Sequence, residues 1–303
     1  MQPLALAGGY LADLAFGDPR HRHPVAAFGR MAAAAETRWH RDSRMRGVMV
    51  TSLLVGSAGA VGRAIGGLGP VGSAALVWAA LGGRSLRLEA HRIDQLLHDE
   101  MIEEARVALS SLCGRDPQEL DGAELAAAVV ESLAENTSDA VVAPLLWGGI
   151  TGPAGVALYR AANTLDAMFG HRSPRLAKFG WAAARFDDAV NWVPARVTAM
   201  LACLLAPLVG GSARRGWERM RADGPLHPSP NAGRVEAAFA GVLDLSLGGP
   251  LAYAGRVQRR PVLGTGPRPG PEDIARAARL SSLVCTCSLI LSCAAAAAGA
   301  KLR

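Results

Sequence analysis

One uncharged segment near the middle of the chain constrains its fold more than any other feature. Residues 140–159 form a 20-residue run without a charged side chain, long enough to cross the hydrocarbon core of a bilayer. Acidic and carboxamide residues crowd both ends of this run. Because ionisable groups beside membrane-depth sequence are costly, they usually serve a function. The segment therefore predicts a membrane-embedded enzyme with a polar site at the membrane face.

The composition and the other uncharged runs extend this prediction to the whole chain. Hydrophobic residues make up 50% of the sequence and charged residues 19%, below the roughly 25% usual for soluble domains. The uncharged runs are 1–12, 47–62, 64–83, 140–159, 197–213 and 280–300. We expect an all-α, polytopic integral membrane protein with about four or five hydrophobic segments, some of them re-entrant or kinked, plus amphipathic helices and long polar loops. Residues 1–303 are expected to form a single membrane-embedded domain, and a soluble set of buried Ala-rich helices is the alternative.

The spacing of apolar residues and the turn signals predict several helices. Arg63 alone divides 47–62 from 64–83, and the GGLGPVG that follows predicts a helical hairpin. Apolar residues recur at helical spacing over 84–112, which predicts an amphipathic helix, and a second helix is expected over 122–138.

Glycine and proline interrupt the central run. Two half-helices that meet at GGITGP fit residues 140–159 better than one straight helix, because Pro removes a backbone donor and Gly weakens a helix. Irregular backbone at membrane depth must be covered by protein or reached by water. We therefore expect Asp139 and Asn163, which flank the run, to approach the same cavity. Residues 214–279, rich in Pro and Gly, are expected to be mostly loop and short helix.

The basic residues favour a membrane over a nucleic-acid partner. The chain carries 32 basic and 26 acidic residues for a net charge of +6, and nearly all of the basic residues are arginine. The arginines are spread through every polar loop, which is typical of membrane topology signals and unlike the aromatic-interleaved patch of a nucleic-acid binder. We expect no nucleic-acid partner. The five cysteines lack zinc-site spacing and are interpreted as small hydrophobic residues.

A turn-rich motif near the amino terminus, GDPRHRHPV, places two arginines and two histidines directly after an acid. Asp18, Arg20 and His23 of this motif can hold a phosphate or orient a carboxylate. A basic loop that flanks the membrane explains the same residues equally well.

The motif ESLAENTSD leads directly into the central run. Glu131, Glu135 and Asp139 recur at four-residue spacing, so a helix would place them on one side. Three like charges repel one another unless a cation lies among them, and Mg²⁺ prefers such oxygen ligands. A solvated acidic face is the alternative, but this face continues into apolar sequence.

Two other groups carry polar residues at helical or turn spacing. In YRAANTLD, Arg160, Asn163 and Asp166 roughly share one face of a helix. In HPSPNAGRVEAAFAG, turn-forming prolines separate His227 from Asn231.

A DDxxN pattern occurs in ARFDDAVNWVPAR, and it gains weight from ESLAENTSD and NTLD nearby in the sequence. Asp187, Asp188 and Asn191 lie within about one helical turn, between Arg185 and Arg196. Such a pattern can hold Mg²⁺ and phosphate oxygens. The sequence contains no phosphate loop, no dinucleotide-binding glycine motif and no zinc-protease or hydrolase motif, so a nucleotide must be held in another way.

Together these motifs resemble those of the CobD/CbiB family of cobalamin biosynthesis, also called adenosylcobinamide-phosphate synthases. The resemblance covers nearly the whole chain. It is carried by the strings GDPRHRHPV, GRDPQELD, ESLAENTSDAVVAP, NTLDAMFGHRSPRLAKFGWAAARFDDAVNWVPAR, HPSPNAGRVEAAFAG and LGGPLAY, in this order. Ala140 stands where many members have Gly, a small change that puts nothing in doubt.

The resemblance implies a multi-pass enzyme of the cytoplasmic membrane with its active site facing the cytoplasm. It implies ATP- and Mg²⁺-dependent amide formation between aminopropanol, or its phosphate, and a propionate carboxylate of adenosylcobyric acid. The product is adenosylcobinamide or its phosphate. The expected partners are the corrinoid and amine substrates, membrane lipid and other late corrinoid-pathway membrane enzymes.

That chemistry calls for acids to hold Mg²⁺, arginines to hold phosphates and a base to accept the amine proton. Metal binding is assigned to Glu131, Glu135, Asp139, Asp187 and Asp188. Catalytic roles, with the histidines as candidate bases, are assigned to His23, His227, Arg185 and Arg196. Substrate binding is assigned to Asp18, Arg20, Asn136, Asn163, Asp166, Asn191 and Asn231. Lysine at Arg20, Arg185 or Arg196 is expected to lower activity at least about tenfold.

Two other functions are consistent with the same motifs. One is a membrane Mg²⁺-dependent phosphotransferase or prenyltransferase that acts on a lipid diphosphate without ATP. The other is a non-catalytic corrinoid transporter or sensor, which would tolerate the loss of Asp187 and Asp188.

Overall fold

The computed structural model describes residues 1–19, 23–113, 117–170, 174–253 and 256–301. Arg20, one of the predicted substrate-binding residues, lies outside the described residues. Helices α1 to α14 span Pro3–Phe16, Pro24–Trp39, Arg44–Gly66, Pro70–Ala80, Gly83–His98, Ile102–Leu109, Gly122–Thr137, Ala143–Thr151, Pro153–Leu165, Trp181–Val190, Trp192–Leu205, Ala213–Ala222, Ala232–Leu243 and Pro271–Lys301. One antiparallel hairpin pairs β1, Ser246–Tyr253, with β2, Arg256–Gly264. The nearly all-helical content confirms the predicted all-α class.

The chain forms two compact units, each assembled from separate stretches of sequence. Unit 1 comprises Met1–Gly82, Asp139–Trp192 and Ser288–Arg303, and unit 2 comprises Gly83–Ser138 and Val193–Cys287. Helices α1 to α4 and α8 to α10 therefore belong to unit 1, whereas α5 to α7, α12, α13 and the hairpin belong to unit 2. That the whole chain acts as one functional domain stays a prediction.

Three helices in the described part of the chain are long and apolar enough to cross a membrane. They are Arg44–Gly66, Trp192–Val209 (α11 and the 3₁₀ turn after it) and Pro271–Lys301. Helix α1 is apolar but has only 14 residues, whereas a span needs about 20. The polytopic membrane fold predicted from the sequence is confirmed.

Two of the other apolar segments are interrupted at glycine residues and form shorter helices. The hairpin predicted from Arg63 and GGLGPVG is confirmed as α3 and α4, and α4 has only 11 residues. In the central run, α8 ends at Thr151, Gly152 adopts a φ of 81°, and α9 begins at Pro153. Glycine tolerates this backbone conformation, and proline suits the first turn of a helix. The two half-helices predicted at GGITGP are therefore confirmed, and their re-entry into the membrane stays a prediction.

Small residues let the helices of unit 1 pack closely. An added Cβ at Gly62 of α3 would lie 2.7 Å from the Cβ of Ala157 in α9. Gly66 of α3 faces Pro153, and Gly59 faces Leu158, so α3 and α9 run antiparallel. Close approach at small residues is the usual means by which helices associate in membranes.

Two of the predictions for unit 2 are wrong. The amphipathic helix expected over 84–112 is divided into α5 and α6 at Glu100, whose φ is 58°. Residues 214–279, expected to be loop and short helix, contain a β-hairpin. The second helix, predicted over 122–138, is confirmed as α7.

The hairpin escaped prediction because it is irregular. Gly248 and Gly249 have φ values of 77° and 96°, and the strand register shifts between Gly248 and Pro250. Such a bulge breaks the alternation of inward and outward side chains by which a strand is recognised.

Candidate functional site

Four aspartates of unit 1 interact near the ends of α9 and α10. We call Asp139, Asp166, Asp187 and Asp188 the acidic cluster. Asp139 and Asp166 belong to two π-helical turns, and Asp187 and Asp188 lie in α10. Asp187 is influenced by the charges of Asp166 and Asp188, and Asp139 and Asp187 both act on Tyr159. Single π-helical turns are frequent at functional sites.

A carboxamide orients the first acid of the cluster. The Asn163 Nδ2 group donates to Asp139 Oδ2 at 3.1 Å. The other end of this amide, Oδ1, accepts from Arg160 Nη1 at 3.2 Å. Asp139 and Asn163, which flank the central run, are therefore in direct contact, whereas their approach to a common cavity stays a prediction.

A second carboxamide does the same for Asp187. Asn191 Nδ2 donates to Asp187 Oδ2 at 3.0 Å, and Asn191 Oδ1 accepts from the Tyr159 hydroxyl at 2.9 Å. Trp147 Nε1 donates to the carbonyl of Val190 at 3.0 Å, which ties α8 to the end of α10. The DDxxN spacing thus places the Asn191 amide one turn after Asp187, within hydrogen-bond distance of its carboxylate, and its role in holding Mg²⁺ stays a prediction.

Asp187 is the acid whose surroundings are least favourable to its charge. Burial and the charge of Asp166 raise its pKa to about 7, Asp188 adds to the effect, and the hydrogen bond from Asn191 opposes it. Its Oδ1 atom is buried and has no hydrogen-bond partner among the described residues. A buried carboxylate oxygen is costly in this state, so it marks a place where a ligand or cation can complete its contacts.

The other two acids are held differently. A Cβ at Gly170 would meet the carboxylate of Asp166, so a larger residue there would require this side chain to move. Asp188 Oδ2 accepts from Arg185 Nη1 at 3.3 Å, and the Arg185 side chain is 58% exposed. Exposed pairs of this kind contribute little, which weakens the prediction that Arg185 clamps a substrate.

The acidic cluster fits Mg²⁺ best when the cation arrives with a phosphate-bearing ligand. Among the residues that the structure describes, no three His, Cys, Asp or Glu side chains form a ready-made metal centre. Mg²⁺ usually keeps several waters and takes one or two carboxylates plus substrate phosphates. Asp187 Oδ1 can serve as such a carboxylate oxygen. Arg160 Nε, also buried without a partner in the described part of the chain, can meet a phosphate or carboxylate.

The amino-terminal motif provides a helix cap beside this cluster. His23 Nδ1 accepts the backbone N–H of Val25 at 3.1 Å at the start of α2. Burial lowers the pKa of His23, Asp18 raises it, and Arg160 lowers it. Because Nδ1 is an acceptor, the neutral ring carries its proton on Nε2. These contacts favour His23 as a donor to an anion rather than as the predicted base.

A second group of ionisable side chains lies inside unit 2. We call Glu131, His227, Glu236 and Arg260 the histidine cluster. Glu131 and Glu236 are 5% and 2% exposed, and His227 Nε2 lies 4.0 Å from Glu236 Oε2 and 3.5 Å from Arg260 Nη1. Burial and Arg260 lower the pKa of His227, whereas the Ser229 backbone and Glu131 raise it. The ring is therefore neutral at pH 7, and its contact with Glu236 is not an ion pair.

Glu131, a predicted metal ligand, is committed to a backbone contact. Its Oε1 accepts the N–H of Gly248 at 2.7 Å, and Arg268 Nη1 donates to the Gly248 carbonyl at 2.7 Å. The backbone N–H and carbonyl of Gly248 are thus both held by charged side chains. This contact favours a structural role for Glu131.

The remaining predicted residues of unit 2 make contacts within the same unit. Arg196 Nη1 donates to Asn231 Oδ1 at 3.2 Å, so these two predicted residues are brought together. Asn136 Nδ2 donates back into its own helix, to the Ser132 carbonyl at 3.0 Å. Glu135 is exposed.

The predicted site residues are therefore divided between the two units. Unit 1 contains Asp18, His23, Asp139, Asn163, Asp166, Arg185, Asp187, Asp188 and Asn191. Unit 2 contains Glu131, Glu135, Asn136, Arg196, His227 and Asn231.

Sequence reasoning missed three contributors to these clusters, which are Tyr159, Glu236 and Arg260. Arg160 belongs to the predicted group YRAANTLD, but its bond to Asn163 was not predicted. A signal existed for Glu236, a lone acid in the apolar stretch RVEAAFAG. Nothing in the sequence distinguishes Arg260 from its neighbouring arginines.

Comparison with known proteins gives the chain its family. The family model described as CobD/Cbib protein matches residues 6–281. The chain is 52% identical over 281 residues to "Cobalamin biosynthesis protein CobD" of Mycobacterium tuberculosis (strain CDC 1551 / Oshkosh), covering 91% of this chain and 90% of that protein. It is 42% identical to the proteins of the same name from Chromobacterium violaceum, over 92% and 90% of the two chains, and Rhodobacter capsulatus, over 87% and 88%. No solved structure matches the chain.

The expected resemblance is thereby confirmed along almost the whole sequence, over a range that contains both the acidic and the histidine cluster. The chain belongs to the CobD/CbiB family of cobalamin biosynthesis proteins.

Proposed function

We propose that this protein forms an amide bond between a propionate carboxylate of adenosylcobyric acid and aminopropanol or its phosphate, with consumption of ATP. Family membership supports the pathway. The observation that carries the reaction type is Asp187 Oδ1, a buried oxygen without a partner in the described part of the chain, close to two other carboxylates. A buried carboxylate oxygen of this kind, beside other acids, supports binding of a divalent cation with phosphate.

A carboxylate must be activated before an amine can displace one of its oxygens. In the proposed reaction, a carboxylate oxygen of the corrinoid attacks the terminal phosphorus of ATP, and the bond to the bridging oxygen breaks. This step gives an acyl phosphate and ADP. The amine nitrogen then attacks the acyl carbon, inorganic phosphate leaves, and one proton is released to a base. Bound Mg²⁺ would supply neutralisation of the phosphate charge.

The side chains of unit 1 supply orientation and charge for the first step. Asp187 and Asp166 would hold the cation, with Asp187 fixed by Asn191. Asp139 is fixed by Asn163, which in turn is held by Arg160. Positioned groups of this kind act without reorganising as charge moves between oxygens.

Arg160 positions the first acid of the cluster through Asn163. Its Nη1 donates to Asn163 Oδ1, and Asn163 Nδ2 in turn donates to Asp139. The base that accepts the amine proton stays a prediction, for which His227 is the neutral candidate.

The reaction is tested with the full chain in mild detergent, supplied with Mg²⁺-ATP, adenosylcobyric acid and either aminopropanol or its phosphate. ADP and the corrinoid product are measured by chromatography and mass spectrometry. We expect equal amounts of ADP and amide product, and neither in the presence of a chelator. Corrinoid binding without turnover would support a transporter or sensor. Consumption of a lipid diphosphate without ATP would support the phosphotransferase or prenyltransferase. Either result would overturn the proposal.

A further inference from the structure

An apolar cavity of 440 Å³ lies within unit 1, bordered by α2, α3, α4 and α9. Its volume is in the range of small-ligand sites. The wall consists almost entirely of hydrocarbon, with Arg160 as its charged residue. Apolar wall residues include Phe28, Met31, Val61 and Leu76.

The cavity is elongated along two antiparallel helices. On α3 its wall extends from Ser57 to Ile65, and on α9 from Ala157 to Thr164. Each stretch covers about two helical turns, or about 11–12 Å. Because α3 is one of the helices able to cross a membrane, the cavity follows a segment that is long and apolar enough to lie at membrane depth.

The chemistry of the wall selects the kind of ligand that can fill it. A ligand with amide or hydroxyl groups would leave them unpaired against hydrocarbon, which is costly. A hydrocarbon chain has no such groups. Large apolar side chains of α3, including Leu53 and Val61, are also exposed in the structure, 56% and 57% respectively. A bilayer is the environment that supplies hydrocarbon to such a surface.

Arg160 adds an anionic requirement to this apolar site. Its Nε is buried without a hydrogen-bond partner among the described residues, and the residue lines the cavity. An arginine donor in this state is satisfied by a phosphate or carboxylate oxygen. The ligand that fits this cavity therefore combines a hydrocarbon chain with an anionic group that reaches Arg160.

We propose that this cavity binds one acyl chain of a membrane phospholipid, with the lipid phosphate held by Arg160. The bound lipid is a ligand separate from the substrates of amide formation, so the inference does not rest on the proposed reaction. It makes α2, α3, α4 and α9 a lipid-binding groove beside the acidic cluster.

The groove is tested by photocrosslinking on the full chain in mild detergent. The probe is a phosphatidylglycerol with a diazirine in one acyl chain, and crosslinked peptides are mapped by mass spectrometry. We expect crosslinks at Phe28, Met31 and Leu76. Ala58→Phe or Ala79→Phe, which would fill part of the cavity with a larger side chain, should lower these crosslinks about tenfold. Ala189→Phe, which lines a different cavity bordered by α3 and α10, should change them less than about twofold.

The phosphate contact is tested separately with Arg160→Gln and a matched diacylglycerol probe that lacks the phosphate. Arg160→Gln should reduce phosphatidylglycerol crosslinking about tenfold and leave diacylglycerol crosslinking unchanged. Excess inorganic phosphate should not displace the lipid, because most of the contact is apolar.

Three results would overturn the proposal. They are crosslinks confined to helices outside the groove, crosslinks unaffected by both filling variants, and equal losses of the two probes in Arg160→Gln. The map obtained with the unmodified protein decides the first point even if a filling variant does not fold. Displacement by phosphate alone would identify the ligand as a free anion instead.

Discussion

The acidic cluster of unit 1 and the histidine cluster of unit 2 both bury ionisable side chains, but their charges are satisfied in opposite ways. In unit 1, burial and the charges of neighbouring acids raise the pKa of Asp187, and one of its oxygens has no partner among the described residues. In unit 2, Glu131 accepts a backbone N–H, and His227 lies between an acid and Arg260. Burial alone therefore does not mark a ligand site, whereas uncompensated like charge does.

The largest effect is expected from removing the uncompensated charge. Asp187→Asn keeps the size of the side chain but removes an anionic oxygen, so amide formation should fall about 100-fold or more, while the protein stays folded in detergent. The measurement is turnover at saturating Mg²⁺-ATP. The matched control is Asp42→Asn, because Asp42 forms an exposed pair with Lys178 at 2.7 Å. Near-normal turnover of Asp187→Asn at low Mg²⁺ would remove Asp187 from the metal site.

Removing a buried carboxylate in unit 2 should lower the stability of the fold and leave the Mg²⁺ dependence of activity unchanged. Glu131→Ala removes the acceptor for the Gly248 N–H, so the unfolding free energy should fall by about 2 kcal/mol. The Mg²⁺ concentration at half-maximal activity should stay unchanged, since the side chain is already occupied. Thermal unfolding and Mg²⁺ titration of the folded fraction measure the two quantities. A higher Mg²⁺ concentration at half-maximal activity, together with an unchanged free energy of unfolding, would restore Glu131 as the metal ligand predicted from the sequence.

The raised pKa of Asp187 gives the acidic cluster a distinct response to pH. The folded state holds the proton more tightly than the unfolded state, where the pKa is near 3.8. The contribution of Asp187 to stability should therefore fall as pH rises from about 4 to about 7 and stay low above that. Mg²⁺ binds the ionised form, so stabilisation by Mg²⁺ should grow between about pH 6 and pH 8.

This pH response is measured as the melting temperature across pH, with and without Mg²⁺. In Asp187→Asn, the melting temperature should depend less on both pH and Mg²⁺. In Glu131→Ala, both dependences should be retained. A Mg²⁺ effect that is independent of pH in the unmodified protein would contradict the assignment.

The smallest effects separate two arginines that the sequence alone does not distinguish well. Arg160→Lys should lower activity about tenfold, because an ammonium cannot reproduce the guanidinium contact that orients Asn163 and, through it, Asp139. Arg185→Lys should lower it less than about twofold, since Arg185 is 58% exposed and forms an exposed pair with Asp188. The second expectation replaces the tenfold loss predicted from sequence. Equal losses at both positions would mean that general charge, and not a specific contact, is what matters.

The sequence predicts those features that depend on local chemistry. The break at Gly152 follows from consecutive helix-breaking residues, and the contact of Asn191 with Asp187 follows from spacing within one helix. The approach of Asp139 and Asn163 follows from the need of both ends of a broken run to find polar partners. Each of these inferences needs only the residue spacing of a helix and the free-energy cost of burying an unpaired polar group.

The features that the sequence could not predict depend on contacts between distant residues. Glu131 and Asp139 share one four-residue pattern, yet Glu131 binds Gly248, which is 117 residues away. The adjacent acids Asp187 and Asp188 differ in burial because α10 packs on one side only, and no periodicity states which side that is. The hairpin is hidden by its positive-φ glycines, which only the partner strand makes necessary.

The central claim is that the acidic cluster, and not the histidine cluster, holds the cation and the phosphate. Electron paramagnetic resonance of Mn²⁺ tests it directly, because Mn²⁺ replaces Mg²⁺ at oxygen sites and bound and free ions give different spectra. Titration of the full chain with Mn²⁺ and ATP should reveal one bound Mn²⁺ per chain. Asp187→Asn should weaken this binding about tenfold or more, and Glu131→Ala should leave it unchanged. Loss of binding in Glu131→Ala with normal binding in Asp187→Asn would contradict the account.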